Sequence, residues 1–252
     1  MRINRNSSVP LYIQLADILR EQINSGANSG GEKLLSERDM GIKYHVSRNT
    51  VRSAIRLLDS EGVLHSSHGQ GTFTTRIGRK ISSRIDLFTE HSEFLRLAGY
   101  QARGIILSAG NVVASEEISE KLGLEKGKLI FCIEKLFYAD ERPAIYTLDY
   151  LPATIDLNAE PFSDLDSCDN FMDFLEIVSG KPVEFGMSDV TPICLDAKIA
   201  KRLEVPVGSP VLKMTEVFLD SLQQTKIGIG VNYYSKFIKF NILRRRTRGK
   251  MN

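Results

Sequence analysis

LSERDMGIKYHVSRNTVRSAIRLLDSEGVLHSSHGQGTF, residues 35–73, decides the fold of the N-terminal third of this chain. Ser36 can cap a short helix whose first turn carries Glu37 and Asp39, acids where the positive end of the helix dipole favours them. Residues 41–46, from Gly41 to Val46, read as a turn. Ser47 can cap a second helix in which Val51, Ala54, Ile55 and Leu58 recur at the three-and-four spacing of one buried stripe. Arg48, Arg52 and Arg56 fall four apart on a different face. Two short helices about a tight turn, the second with arginines and small hydroxyls near its start, form a helix-turn-helix, whose second helix lies in the major groove of duplex DNA. Arginine there pairs bidentately with guanine, and Ser47 and Thr50 reach phosphates. Past Gly62, Val63 and Leu64 lead to a His68-Gly69-Gln70-Gly71 tip and back through Thr72, Phe73 and Thr74. That is a small hairpin wing, whose glycines let the backbone approach a phosphate or minor groove with His68 and Gln70 beside it.

Working outward, Pro10 to Asn24 reads as a first helix, with Leu11, Leu15, Ile18, Leu19 and Ile23 supplying the core on which the other two pack. SGANSGG, residues 25–31, has the composition of a loop, and the polar RIGRKISSR of residues 76–84 is placed as an interdomain linker. The domain plan is therefore 1–75, a linker at 76–84, a body at 85–243 and a basic tail at 244–252. The net charge of +2 hides an asymmetry, because residues 1–84 carry +6 and residues 85–252 carry −4. A basic head on a mildly acidic body is the electrostatic footprint of a chain that meets DNA with one end. Five of the body's basic residues crowd into the RRRTRGK tail, read as a solvated end. No apolar run approaches the roughly 20 residues that span a bilayer, and no signal-like N-terminus is present, so a cytoplasmic protein without a membrane partner is expected. Cys132, Cys168 and Cys194 are far apart and without CxxC spacing, and with His45, His65, His68 and His91 they make no ligand pattern. No metal and no cofactor are expected.

The body contains a weak internal repeat. ISEKLGLEKG at 118–127 aligns with IAKRLEVPVG at 199–208, an offset of 81, each a short helix and a turn. Both run into apolar segments, 129–138 and 211–219, with Phe137 matching Phe218, and then into a second strand, 144–151 and 226–234. Two related halves imply an antiparallel sheet with helices on one side. In the first copy Thr147 and Asp149 share a face, and in the second Gly228 and Gly230 precede Asn232 and Tyr234 on theirs. Two glycines leave space where side chains would otherwise stand, so a cavity lined by Thr147, Asp149, Asn232 and Tyr234 is expected. The alternative for the same pattern is the solvated face of a two-sided sheet. Thr89 and Ser92, near the start of a helix from Phe88, could offer hydroxyls and backbone N–H groups to an anion.

The motifs PLYIQLADILREQI, LSERD, VSRNTVRSAIRLL, EGVL and GQGTF, in that order, resemble the winged-helix domain of the GntR family of bacterial transcription regulators. The resemblance implies operator contacts from Arg38, Ser47, Arg48, Thr50, Arg52 and the wing residues His68, Gly69, Gln70 and Gly71. Leu35 stands where that family usually has proline. The stretch from Phe88 to Tyr100, together with ASEEISEKLGLEKGKLI, ADERPAIYTLDYLP and AKRLEVPVGSPVL, resembles the UTRA effector-binding domain of the HutC-type subfamily. It implies an α+β chain: a winged helix-turn-helix followed by an antiparallel-sheet α/β domain like chorismate lyase, a small-molecule ligand and a homodimer. In relatives that bind phosphorylated sugars, two arginines and a glutamate contact ligand, and their positions here hold Lys135, Phe137 and Thr147. Losing both guanidinium forks argues against a sugar phosphate. A ligand-responsive repressor on palindromic operator DNA is the expected function. A DNA-tethered lyase-like enzyme lacks any nucleophile–base pair, metal cluster or phosphate loop, and a body that only dimerises is the third possibility.

Overall fold

Ser36 and Ser47 each accept a hydrogen bond from the backbone N–H three residues on, Asp39 at 3.2 Å and Thr50 at 3.1 Å, and these caps start the two helices of the N-terminal unit. The computed structural model describes residues 3–5, 9–24, 31–67, 69–75, 85, 89–152, 171–220, 222 and 225–242. By backbone contacts the chain divides into residues 1–84 with 241–252, and residues 85–240. The expected linker and basic tail fall outside the described residues.

In the first unit α1 spans Leu11–Asn24, α2 Glu37–Tyr44 and α3 Arg48–Ser60. The helix begins after Pro10, whose carbonyl accepts from Ile13 and Gln14. Val51, Ala54, Ile55 and Leu58 of α3 are all buried, against Leu15, Leu19, Ile23 and Met40. Each of the larger of these chains, Ala54 apart, contributes roughly 1.5–3 kcal/mol when fully buried. Leu11 is only half-buried. A bidentate bridge from Arg20 to Glu61, 2.9 Å at its shorter contact, ties α1 to the end of α3. One expectation is corrected: residues 41–44 are helical, and the turn is confined to His45 and Val46. Gly41 does not end the helix. A Cβ there would stand 3.0 Å from the carbonyl oxygen of Val46, so the glycine admits the returning chain. The helix ends instead at His45, in the left-handed region at φ 55°. The wing is β1, Leu64–Ser67, paired antiparallel with β2, Gly71–Thr74. Residues 31–34 run along the far side of β2, through Gly31 N–H to Thr74 O and Leu34 N–H to Thr72 O, both 2.8 Å.

The second unit holds α4 His91–Leu97, β3 Ala102–Val113, α5 Glu116–Leu122, β4 Leu129–Ala139 and β5 Arg142–Leu151. It continues with α6 Phe171–Ser179, β6 Phe185–Cys194, α7 Ala197–Arg202, β7 Pro210–Leu219 and β8 Lys226–Tyr234. The six strands form one antiparallel sheet in the order β3-β4-β5-β8-β7-β6. The repeat is structural, since helix, strand, helix and hairpin occur twice in that order and the sheet order is palindromic. Gly127 and Gly208 close the equivalent turns at φ 78° and 81°. The expected common offset needs correcting in the last strand. Phe137 pairs with Ile145 and its counterpart Phe218 with Gly228, so β5 and β8 correspond at 83, because two more residues lie between these paired positions in the second hairpin. The pseudo-dyad then passes through the pair Leu148 and Val231, and Asp149 corresponds to Asn232.

Helices cover both faces, not one. Under α5 and α7 lie Leu136, Tyr146, Val217, Ile229 and Val231. On the other face α4 packs Phe94 and Leu95 on Phe137 and Ile145, and α6 packs Phe171 and Leu175 on Phe131 and Phe218. Side-chain alternation along the strands therefore places Lys135, Thr147, Asp149, Asn232 and Glu216 beneath α4 and α6.

Candidate functional site

In the N-terminal unit the start of α2, the exposed side of α3 and the wing enclose a cleft of about 690 Å³, with Lys33, Glu37, Arg52, Arg56 and Gln70 among its lining residues. Arg38, Ser47, Arg48, Arg52, Gly69 and Gln70 are exposed, and Thr50 and Gly71 are half-buried. His68 lies outside the described residues. Arg52 presents its guanidinium edge-on to Glu37, with Nε to Oε1 at 3.2 Å and Nη2 to Oε2 at 2.8 Å. Hydrogen bonds from Arg52, with the charges of Arg52, Arg48 and Arg56 added, hold the Glu37 carboxyl below the usual carboxylate range. An exposed pair of this sort contributes little to stability. Glu37 thus orients a planar donor fork that can exchange its carboxylate for a guanine edge or a phosphate at small cost. Ser47 and Thr50 hydroxyls stand 2.8 Å apart, so each has one partner already and keeps further hydrogen-bonding capacity.

Lys33 and Arg56 also face the cleft, although only Arg56 was legible as part of the arginine row. Lys33 reaches it because residues 31–34 pair with β2, a contact between distant segments with no local signal. Gly71 beside it sits at φ +113°, which L side chains rarely adopt, while a Cβ there would meet only the flexible end of Lys33, Cε at 2.7 Å.

In the second unit the expected effector residues converge beneath α4 and α6. Lys135, Thr147, Asp149 and Asn232 are each no more than 3% exposed, and Phe137 and Tyr234 are buried with them. The solvated-face alternative is thereby excluded. Lys135 Nζ lies 2.7 Å from Asp149 Oδ2 and 3.9 Å from the centre of the Phe171 ring, so one carboxylate and one aromatic face replace the water that the ammonium loses. Thr147 Oγ1 donates to the same carboxylate at 3.4 Å. His91 Nε2 is 3.0 Å from Asn232 Oδ1, and its ring stands edge-on to Phe137 and Tyr234. Burial first, and the charge of Lys135 second, push His91 down to about 4; the imidazole is neutral at pH 7. Glu216 sits across Gly230 from Asp149. Burial raises its carboxyl, against a 2.7 Å hydrogen bond from Ser188.

Two expectations about this site fail. The glycines do not leave open space: a Cβ on Gly228 would meet Tyr150 O at 3.0 Å and Leu175 at 3.2 Å, and one on Gly230 would meet Asp149 and Phe218 at 3.3 Å. Neighbouring side chains have closed over them. The helix near Thr89 begins at His91, with Glu90 at its cap position and the Glu90 carboxylate accepting from Met172 N–H at 3.2 Å. An anion there would meet a like charge. Thr89 is half-buried ahead of the helix, and Ser92 is buried with no partner for its hydroxyl among the described residues. His91 and Glu216 were not foreseen. Extending the alternation from β8 to β7 finds Glu216, whereas nothing local marks His91.

Comparison with known proteins agrees with both units. Residues 11–74 match the model described as bacterial regulatory proteins, gntR family, and residues 97–234 match the UTRA domain. The chain is similar to YurK of Bacillus subtilis, an uncharacterized HTH-type transcriptional regulator, at 34% identity over 150 residues, 60% of this chain and 61% of that protein. To NagR of the same organism, an HTH-type transcriptional repressor, it is 26% identical over 84% of this chain and 85% of that protein. To the regulator GgaR of Escherichia coli it is 27% identical over 88% and 86%. Among solved structures, YydK of Bacillus subtilis superposes with a TM-score of 0.69 at 17% identity, over 93% of this chain and 99% of that one. PhnF of Mycobacterium smegmatis gives 0.55 at 19%, over 92% and 99%. Both likenesses are of fold.

Proposed function

We propose, from the premise that this chain belongs to the UTRA-domain transcription regulators of the bacterial gntR family, that it is a ligand-responsive repressor. Two copies present their α3 helices to successive major grooves of a palindromic operator. Arg38, Ser47, Arg48, Thr50 and Arg52 make the contacts, with the tip of the wing against the adjacent backbone. The observation that carries this reading is the oriented Arg52 fork at the mouth of a cleft that is open between α3 and the wing. The relatives are regulators, which speaks against a DNA-tethered enzyme, and the repressor name borne by NagR supports the sign.

The effector is taken between the sheet and α4 and α6, by Lys135, Asp149, Asn232 and Tyr234, with Thr147, Phe137, Thr89 and Ser92 around them. Lys135 is already matched by Asp149, and Glu216 adds an acid, so the charges favour a neutral or amine-bearing metabolite over a phosphate ester. Footprinting of labelled DNA from upstream of its own gene, with and without candidate metabolites, tests the reading. Two-fold protected half-sites that are lost on adding a metabolite support it; a single unsymmetrical footprint, or none, opposes it. A body that serves only to dimerise is favoured by one observation, the filled space at Gly228 and Gly230. A metabolite screen by thermal shift separates the two, because only a binding site raises the midpoint.

A further inference from the structure

We infer that the effector carries a protonated amine and that Glu216, on β7, is its anchor. This rests on the effector reading above and narrows it to one ligand class. The two halves of the sheet differ in charge at equivalent positions. Lys135 corresponds to Glu216 at the repeat offset of 81, and Asp149 to Asn232 at the offset of 83 that strand pairing gives. The first half is therefore an ion pair, closed at 2.7 Å. The second half sets an acid beside an amide, and the amide oxygen already lies 3.0 Å from His91 Nε2. Glu216 accepts a 2.7 Å hydrogen bond from Ser188 and has no basic partner among the described residues. With His91 neutral, Lys135 stands alone against Asp149 and Glu216.

The ground between the two acids suits an ammonium. Gly230 pairs with Asp149 on one side and Glu216 on the other, so no side chain of β8 stands between the carboxylates. Asp149 Oδ2 is taken by Lys135 and Thr147. Its Oδ1 leans over Gly230, 3.3 Å from where a Cβ would stand, and makes no hydrogen bond among the described residues. The Phe218 ring edge comes equally close to that point. Both are side-chain ends, which yield where backbone would not. Tyr234 is 4% exposed, and its hydroxyl has no partner among the described residues. Burial first, then the charges of Glu216 and Asp149, hold that phenol protonated, well above its ordinary range, and a phenol oxygen accepts as well as donates. Lys135 shows how this face takes an ammonium: one carboxylate oxygen and one ring, Phe171 at 3.9 Å, stand in for its water. A ligand ammonium over Gly230 meets Glu216, Asp149 Oδ1 and the Phe218 ring in the same roles, with Tyr234 as a further acceptor. It neutralises the acid that the chain leaves unmatched. A phosphate or carboxylate there would face both acids.

Thermal melting of the full chain tests this, with a small-molecule extract of bacterial cells split on a cation exchanger at neutral pH into retained amines and an unretained remainder. The retained fraction should raise the melting midpoint by roughly 3 °C or more. Treating that fraction with acetic anhydride, which turns primary amines into neutral amides, should abolish the rise. Glu216→Gln should need roughly tenfold or more of the fraction for the same rise. A rise given by the unretained fraction alone, or one that survives acetylation, overturns the amine. A rise unchanged in Glu216→Gln overturns the anchor, and no rise with either fraction overturns the effector reading itself. The variant also decides without any ligand. Glu216→Gln should melt no lower than wild type, because it strands no cation; a midpoint several degrees lower would mean that Glu216 is already matched inside the protein, and the proposal would fall.

Discussion

Replacing Asp149 by asparagine keeps the shape of the buried cluster and removes its negative charge. In the structure Lys135 Nζ and Asp149 Oδ2 are 2.7 Å apart, with both side chains at or below 5% exposure. At an effective dielectric of about 20, that separation corresponds to about 6 kcal/mol of gross attraction. Much of this offsets the cost of taking two ions out of water. Deleting one partner leaves the ammonium buried against Phe171 with an amide oxygen in place of a carboxylate, at a net cost of about 3–5 kcal/mol. For a unit of this size such a loss lowers the melting midpoint by roughly 10 °C. Urea denaturation followed by circular dichroism reads it, and operator affinity measured below the transition should be retained while the response to effector falls. The companion Lys135→Met with Asp149→Leu should recover most of the stability, since an apolar pair of similar volume needs no solvation. A loss below about 1 kcal/mol for Asp149→Asn would refute the reasoning, because it would mean that water reaches the pair.

Acid should destabilise the second unit through His91. Its folded pKa is about 4 against an ordinary 6.5, so the unfolded chain binds the extra proton first. Stability is full above about pH 6.5 and falls as the pH drops towards 4, by about 3 kcal/mol. His91→Gln should flatten that part of a stability-against-pH curve, and an unchanged slope would deny the burial. Arg52→Ala should cut discrimination between operator and mutated half-site by about tenfold or more, read in a competition footprint. Gly71→Ala should cost more than the ordinary glycine-to-alanine change, because of its φ of +113°. Weakened operator binding and faster exchange at the Phe73 and Thr74 amides are expected, and wild-type behaviour in both would count against the wing's role.

Local pattern carried much of this fold. The α3 stripe, both serine caps and the wing glycines are consequences of neighbouring residues, and each was legible. The 81-residue echo foretold two halves because helix, turn and strand recur within each. What escaped was set by contacts between distant segments. Gly41 looked like a helix breaker, but it clears a path for the Val46 carbonyl; Gly228 and Gly230 looked like a void, but Leu175 and Phe218 fill it. The shift from 81 to 83 came from a longer connection whose effect appears only when strands pair. His91 and Lys33 enter their sites from elements that no periodicity ties to the sheet or the wing. The polar face itself was legible from alternation, whereas its closure by α4 and α6 was not.

The central claim is that the first unit grips duplex DNA through the guanidinium groups of α3. Fluorescence anisotropy of a labelled fragment from upstream of its own gene, titrated with full-length protein over a series of salt concentrations, measures it most directly. A log–log slope of about −5 for the wild type, with affinity collapsing for Arg48→Ala combined with Arg52→Ala, is the predicted result. A flat salt dependence, or undiminished affinity in that variant, would contradict it.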